Sequence, residues 1–279
     1  MTQAPVRVSP QWLALREAAD AASRAPDLVQ SLQGLLHADR PLVVHDLACG
    51  TGSTARWLAP LLPGPQHWVL QDWDPDLVEE AAALAVPWAA ERAGLTVEVR
   101  RGDVTRLSAD ELAGASLVTA SALLDILTLA ELQRFIATCV VPRCPVLLTL
   151  TVVGRVEILP EHPLDRSIAA AFNAHQRRHR GDSPLLGPEA AEAAVGELTR
   201  LGYAVTVEDA PWRLGAGDFA LASEWLTGWV DAACEHEPGL TGPAAVYLQD
   251  RLAAAANGQL SVVVHHADLL GWPGRRDRG

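Results

Sequence analysis

Asp46, Asp72 and Asp103 each stand where a strand-like stretch gives way to a turn. In Val43-Val44-His45-Asp46-Leu47-Ala48-Cys49-Gly50-Thr51-Gly52-Ser53, an apolar run ends in a carboxylate, a Gly-x-Gly turn and a helix start. Glycines let the backbone turn sharply and approach a ligand with no Cβ in the way. The free N–H groups of the new helix then face that ligand. A phosphate loop would avoid the Asp46 carboxylate, whereas a ligand with a cationic amino group would welcome it. In Val69-Leu70-Gln71-Asp72-Trp73-Asp74-Pro75, Asp72 can accept from both hydroxyls of a ribose. Trp73 can lie flat along a neighbouring ring. In Val97-Glu98-Val99-Arg100-Arg101-Gly102-Asp103-Val104, Asp103 can accept from an amino group and Val104 can add an apolar contact. Each aspartate alone reads as well as a helix cap or turn former, and Asp74 reads better as one. Three in register point to a nucleoside site.

In order and spacing these stretches resemble the class I S-adenosylmethionine (SAM) dependent methyltransferases. Their first motif is usually Asp/Glu-x-Gly-x-Gly-x-Gly, and Ala48 here replaces the first glycine. The resemblance covers residues 40–150 well and the remainder loosely. It implies S-adenosyl-L-methionine as cofactor and S-adenosyl-L-homocysteine as product. Asp46 would lie near the methionine ammonium, with Ala48, Cys49, Gly50 and Gly52 under the cofactor. Thr51 and Ser53 would serve its carboxylate. Asp72 would take the ribose, with Trp73, Asp103 and Val104 at the adenine. Ser121 would line the pocket from the fourth strand end. Arg16 is either a second clamp on the methionine carboxylate or a surface partner of Asp20.

No catalytic residue is legible with the same clarity. The fourth strand end, Thr119-Ala120-Ser121-Ala122-Leu123-Leu124-Asp125, lacks the Asn/Asp-Pro-Pro-Tyr signature of many nucleic-acid and protein amino-group methylators. Asp125, His162 and His175 are the candidates for a proton acceptor. His175 and His179 would share a helix face, but no third ligand stands near them, so no metal is expected. Arg177 and Arg180 could meet an acidic substrate. Trp212, Trp225 and Trp229 read as core packing or, more sharply, as an aromatic pocket wall. His265 and His266 read as strand alternation, one in and one out. Cys49 reads as a small apolar filler of the turn rather than a nucleophile.

Composition narrows the field. The chain has 279 residues, is 49% hydrophobic and carries a formal net charge of −12. That is ample for a large core and unfavourable for a nucleic-acid partner. No run of 18 apolar residues and no signal-type N-terminus occur, so no membrane span is expected and a cytoplasmic chain is. All 22 positive side chains are arginine. Without lysine, Schiff-base and P-loop chemistry are excluded. The arginine bias and the many alanines fit a high-GC bacterial genome. Cys49, Cys139, Cys144 and Cys234 are too scattered for a zinc ribbon and read as reduced thiols.

The elements that must position these residues alternate strand and helix. Residues 9–37 read as N-terminal helices. Strands are expected at 41–47, 66–71, 96–100, 116–121, 146–152, 203–208 and 259–265. Helices are expected at 53–62, 76–91 (interrupted near Pro87), 129–139, 164–180, 188–201, 218–233 and 242–256. The fold class is therefore α/β: a doubly wound, Rossmann-like sheet with helices on both faces, its seven strands matching the methyltransferase fold. Residues 1–40 form an N-terminal helical cap on a methyltransferase domain over 41–279. Within it lie a lid at 155–187 and a helical insertion at 211–257. The tail 274–279 is expected to fray.

The reading that results is methyl transfer to a small-molecule acceptor by in-line displacement, with no nucleic acid and no membrane involved. A non-catalytic SAM-binding or S-adenosylhomocysteine-binding relative is the alternative. An NAD(P)-dependent Rossmann oxidoreductase fits less well, because Ala55 stands where its third glycine belongs.

Overall fold

The computed structural model describes residues 7–37 and 40–274. The rest, including most of the tail expected to fray, lies outside them. The chain opens with two helices, α1 (Pro10–Ser23) and α2 (Pro26–Leu35). Ser9 caps the first through the Trp12 N–H, with Pro10 in the first turn. Alternating units follow: β1 (Leu42–Leu47), α3 (Ser53–Leu58), β2 (Gln66–Asp72), α4 (Pro75–Ala90), β3 (Leu95–Arg101), β4 (Leu117–Ser121), α5 (Leu129–Cys139) and β5 (Val146–Leu159). After them come α6 (Asp165–Gln176), a hairpin of β6 (His179–Arg180) and β7 (Ser183–Pro184), then α7 (Ala190–Arg200) and β8 (Tyr203–Asp209). The chain closes with β9 (Trp212–Leu214), α8 (Phe219–His236), α9 (Thr241–Ala256) and β10 (Ser261–Pro273).

The main sheet runs β3-β2-β1-β4-β5-β10-β8, with β9 added beside β10. The first five strands of that order are parallel, and β10 runs antiparallel to β5, β8 and β9. The sheet thus has eight strands where seven are expected. The extra one, β9, spans three residues, too few to show a period in the sequence. One face packs on α2, α3 and α4 around Leu32, Leu58, Trp68 and Ala81. The other packs on α5 and α7 around Phe135, Ile136 and Leu198. A third core, around Ile168, Trp212, Leu226, Trp229 and Tyr247, joins α6, α8 and α9 to the far ends of β5 and β10. Among the described residues no helix is long and apolar enough to cross a membrane.

Three boundaries depart from expectation for one physical reason each. Helix α4 runs unbroken through Pro87, which falls in its last turn beside the buried Ala85 and Ala89. The helix expected to reach Arg180 stops at Gln176, because residues 179–184 pair as a hairpin. Strands β5 and β10 are far longer than expected. They pair along their whole length with two register shifts, at Val264/His266 and Ala267/Leu269. Gly154 (φ 72°) and Leu150 (φ 56°) supply the left-handed backbone there, so the hydrophobic alternation is interrupted.

Candidate functional site

The parallel strands end level with one another. Leu47 pairs with Gln71 and Ala120, Asp72 with Arg101, and Ser121 with Thr149. Their carboxyl ends open on a cavity of about 350 Å³. Ala48 and Gly50 line it from β1, Asp72 and Trp73 from β2, Gly102, Asp103 and Val104 from β3, and Ser121 from β4. Helix α1 covers it with Leu13 and Arg16. Gly50 has φ 56°, and a Cβ there would meet Leu13 Cδ1 at 2.9 Å. Only glycine leaves that floor open. Ala48, in the position of the missing motif glycine, is itself left-handed at φ 53°. An L-residue adopts that backbone at a cost of about 1–2 kcal/mol.

Asp72 is 4% exposed and anchors the turn to the cavity. One carboxylate oxygen accepts the Gly50 N–H at 2.9 Å and the other the Asp74 N–H at 3.0 Å. Burial raises its pKa, and those backbone bonds pull it back down. Each oxygen keeps a lone pair for a ligand hydroxyl. Asp103 caps the turn after β3 by accepting from the N–H and hydroxyl of Thr105, yet still lines the cavity. Asp74 caps α4 through the Asp76 N–H. Trp73 lies on the rim under the Arg7 guanidinium, 5.6 Å from its ring centre. Arg16 pairs with Asp20 as one of its two expected roles requires. Its Nε donates to Asp20 at 2.9 Å, and its half-buried guanidinium stands 4.8 Å over the Trp212 ring rather than out on the surface. Its terminal nitrogens take no protein acceptor among the described residues, and the side chain lines the cavity. Ser121 accepts from Arg24 at 3.2 Å.

Five residues expected at the cofactor do not line the cavity: Asp46, Cys49, Thr51 and Gly52 at the turn, and Ser53 at the start of α3. The turn folds the first four inward. Gly52 N–H donates to Cys49 O, the Thr51 carbonyl accepts from Arg56, and the Cys49 thiol is buried with its pKa pushed up. Asp46 is fully buried, and neither of its oxygens has a hydrogen-bond partner. Burial pushes its pKa up to about 7, against the pull of Arg24. Nε and Nη1 of Arg24 are likewise buried and unpartnered.

A stability prediction follows with a definite sign. Between the ordinary value of 3.8 and about 7, the folded protein holds a proton that the unfolded chain has released. Stability therefore falls as pH rises through that window and levels off above it. Asp46→Asn abolishes this component. Its melting temperature relative to wild type should climb between pH 5 and pH 8 by the equivalent of about 2 kcal/mol. Parallel melting profiles for the two proteins would rule out a buried, titrating Asp46.

A second cavity, of about 240 Å³, adjoins the first and shares Arg16, Ala122 and Ile126 with it. Asp125 lines it, and burial pushes that carboxyl up to about 6 while Arg16 and Arg178 pull the other way. The tryptophans divide. Trp212 and Trp225 line this cavity, whereas Trp229 lies in the core behind, stacked on Trp225 at 5.1 Å. His265 and His266 both line it, because the β5–β10 register shift breaks the expected one-in, one-out alternation. His266 packs on Trp212 at 5.3 Å, and burial lowers its pKa to about 4, so its ring is neutral near pH 7.

His162 and His175 lie at neither cavity, which corrects their candidacy as proton acceptors. His162 Nδ1 accepts the Leu164 N–H, and the ring packs edge-on to Tyr247, so it shapes the entry to α6. His175 pairs with Glu235 of α8 at 3.2 Å. His179 belongs to the hairpin rather than that helix, so the two histidines share no face. No cluster fit for a metal occurs among the described residues. Arg177 pairs with Glu189, and Arg180 pairs with Glu131 at the edge of the first cavity. Sequence reasoning missed Asp268, 1% exposed, which accepts the Leu150 N–H at 2.7 Å and the Ala25 N–H at 2.9 Å. Its position beyond the expected end of the last strand hid it.

Residues 44–141 match the family model described as a methyltransferase domain. No curated protein matches the sequence. Among solved structures, the cyclopropane synthase MmaA2 from Mycobacterium tuberculosis is similar at TM-score 0.52 and 13% identity, covering 97% of this chain and 96% of its own. A SAM-dependent methyltransferase from Thiobacillus denitrificans, in complex with S-adenosyl-L-homocysteine, gives TM-score 0.49 and 14% identity over 96% of this chain and 100% of its own. At such identities the likeness to MmaA2 is one of fold.

Proposed function

Starting from a chain whose residues 44–141 match the family model of a methyltransferase domain, we propose that it moves a methyl group from S-adenosyl-L-methionine to a small-molecule acceptor. The observation that carries this reading is the first cavity. Four adjacent strand ends build it, and a buried carboxylate and an open glycine floor face into it. Asp72 would hold the ribose hydroxyls, and Trp73, Asp103 and Val104 would bracket the adenine. Gly50 and Ala48 would lie under the methionine portion, with Ser121 beside it and the free end of the Arg16 fork on its carboxylate. Asp46 would act on the ammonium from below the turn rather than by contact, through the field of the carboxylate it becomes above about pH 7.

When bound, the cofactor supplies an activated methyl group on a sulfonium. The protein's part is then alignment and exclusion of water, and proximity can supply most of the rate. The described part of residues 1–40 would serve as the cap, with 155–187 as lid and 211–257 as helical insertion, on a domain expected over 41–279. The site's acidic surroundings favour a small acceptor over a nucleic acid.

Calorimetric titration with S-adenosyl-L-methionine and S-adenosyl-L-homocysteine tests the reading. Micromolar binding of either is the expected result. A folded protein that binds neither would overturn it.

A further inference from the structure

The second cavity extends from the end of β4, where the fourth strand tip meets the first cavity. It is small: about 240 Å³, below the roughly 300–1,000 Å³ usual for drug-sized ligands. A one-ring or two-ring molecule suits it. Its walls are the rings of Trp12, Phe172, Trp212 and Trp225, set at different tilts. Rings so placed favour an aromatic guest through offset or edge contacts. They could also favour a cation, but the structure has spent that option. The Arg16 guanidinium already stands 4.8 Å over Trp212 and 6.0 Å from Trp12. A second positive charge would meet the first.

Three polar groups in these walls are already paired: Arg155 and His265 with Glu157, and Asn173 with the Gly154 carbonyl. Asp125 and His266 both line the cavity, and His266 Nδ1 is buried with no protein partner. Gln176 Oε1 is buried and unpartnered as well. Such convergent polar atoms in an apolar pocket orient a ligand.

We propose that this cavity binds the methyl acceptor, and that the acceptor is a small, uncharged, planar aromatic molecule whose hydroxyl gives its proton to Asp125. This rests on the methyl-transfer reading of the first cavity. As the oxygen–methyl bond forms, the cofactor's sulfur–methyl bond breaks and its electron pair returns to sulfur. The hydroxyl proton passes to the Asp125 carboxylate, which later releases it to water. The walls hold the ring, and the shared Arg16, Ala122 and Ile126 leave the hydroxyl facing the first cavity.

The test uses the full chain saturated with S-adenosyl-L-homocysteine, whose own binding is measured first. 2-Naphthol should then bind at micromolar concentration by calorimetry. Its saturated counterpart, decahydro-2-naphthol, and the cation phenyltrimethylammonium should each bind at least tenfold more weakly. Trp225→Ala should weaken 2-naphthol at least tenfold and leave S-adenosyl-L-homocysteine within twofold, with Trp225→Phe intermediate. Asp125→Asn should keep 2-naphthol binding yet slow formation of its methyl ether at least a hundredfold. With S-adenosyl-L-homocysteine bound, failure of 2-naphthol to bind, or preference for the cation or the saturated ring, overturns the acceptor class and leaves the methyl-transfer reading standing. Unchanged methylation in Asp125→Asn overturns the role of Asp125. No S-adenosyl-L-homocysteine binding overturns both readings.

Discussion

Replacing Asp72 with alanine should weaken S-adenosyl-L-methionine binding at least about a hundredfold. Two losses add. The first is the carboxylate's bonds to the ribose hydroxyls, and a bond to a charged group contributes about 1.5–3 kcal/mol. Two such bonds account for the hundredfold, since each 1.4 kcal/mol is tenfold. The second is the shape of the floor. Asp72 holds the Gly50 N–H across 22 residues of sequence, together with the N–H of nearby Asp74, and fixes the glycine turn against β2. Asp72→Asn separates the two. Its one carbonyl oxygen can hold only part of that arrangement, so it should bind more weakly than wild type and more tightly than alanine. Calorimetric titration with S-adenosyl-L-homocysteine, beside a melting curve to show that each variant is folded, is the measurement. Wild-type affinity in Asp72→Ala would refute the assignment of the ribose subsite.

Asp268→Ala should be the most destabilising of these changes, by on the order of 3–5 kcal/mol. The side chain joins three parts of the molecule: the α1–α2 junction at Ala25, the left-handed residue Leu150 in β5, and β10 itself. Removing it leaves two buried N–H groups without acceptors, each costing about 1–3 kcal/mol. It also frees Leu150 from the bond that offsets its positive φ. For a chain of this size the melting temperature should fall by about 10 °C. Hydrogen exchange at Leu150 and Ala25 should accelerate before that of the β1–β2 ladder. A variant that melts within 2 °C of wild type would show that Asp268 is not the link between cap and sheet. The same link helps hold helix α1 over a cavity built from the ends of β1 to β4.

Much of the first cavity's lining was legible because its signals are local. A carboxylate, a glycine turn and a helix start fall within a few residues of one another. So does Asp74 with the helix it caps. Strand periodicity then set the order of the tips, and parallel pairing brought them level. Expectation failed where a residue's direction depends on partners far away. The sequence placed Asp46, Cys49, Thr51 and Gly52 at the turn but could not say that the turn folds them under the floor. It offered His162 and His175 as acceptors because histidine titrates near neutrality, whereas their packing against Tyr247 and Glu235 spends them elsewhere.

What the sequence by itself determined is the α/β class, the strand-end constellation from Asp46 to Val104, and the exclusion of lysine chemistry. Those rest on spacing along the chain and on residue types present or absent. Only the tertiary structure decided the second cavity, the division of Trp212 and Trp225 from Trp229, and the weight carried by Asp268. Trp212 donates to Asp20 across 192 residues and Asp268 accepts from Ala25 across 243. No local period records such pairs, because a side chain's surroundings at that separation are set by how sheets and helices pack, not by the neighbours it has in sequence.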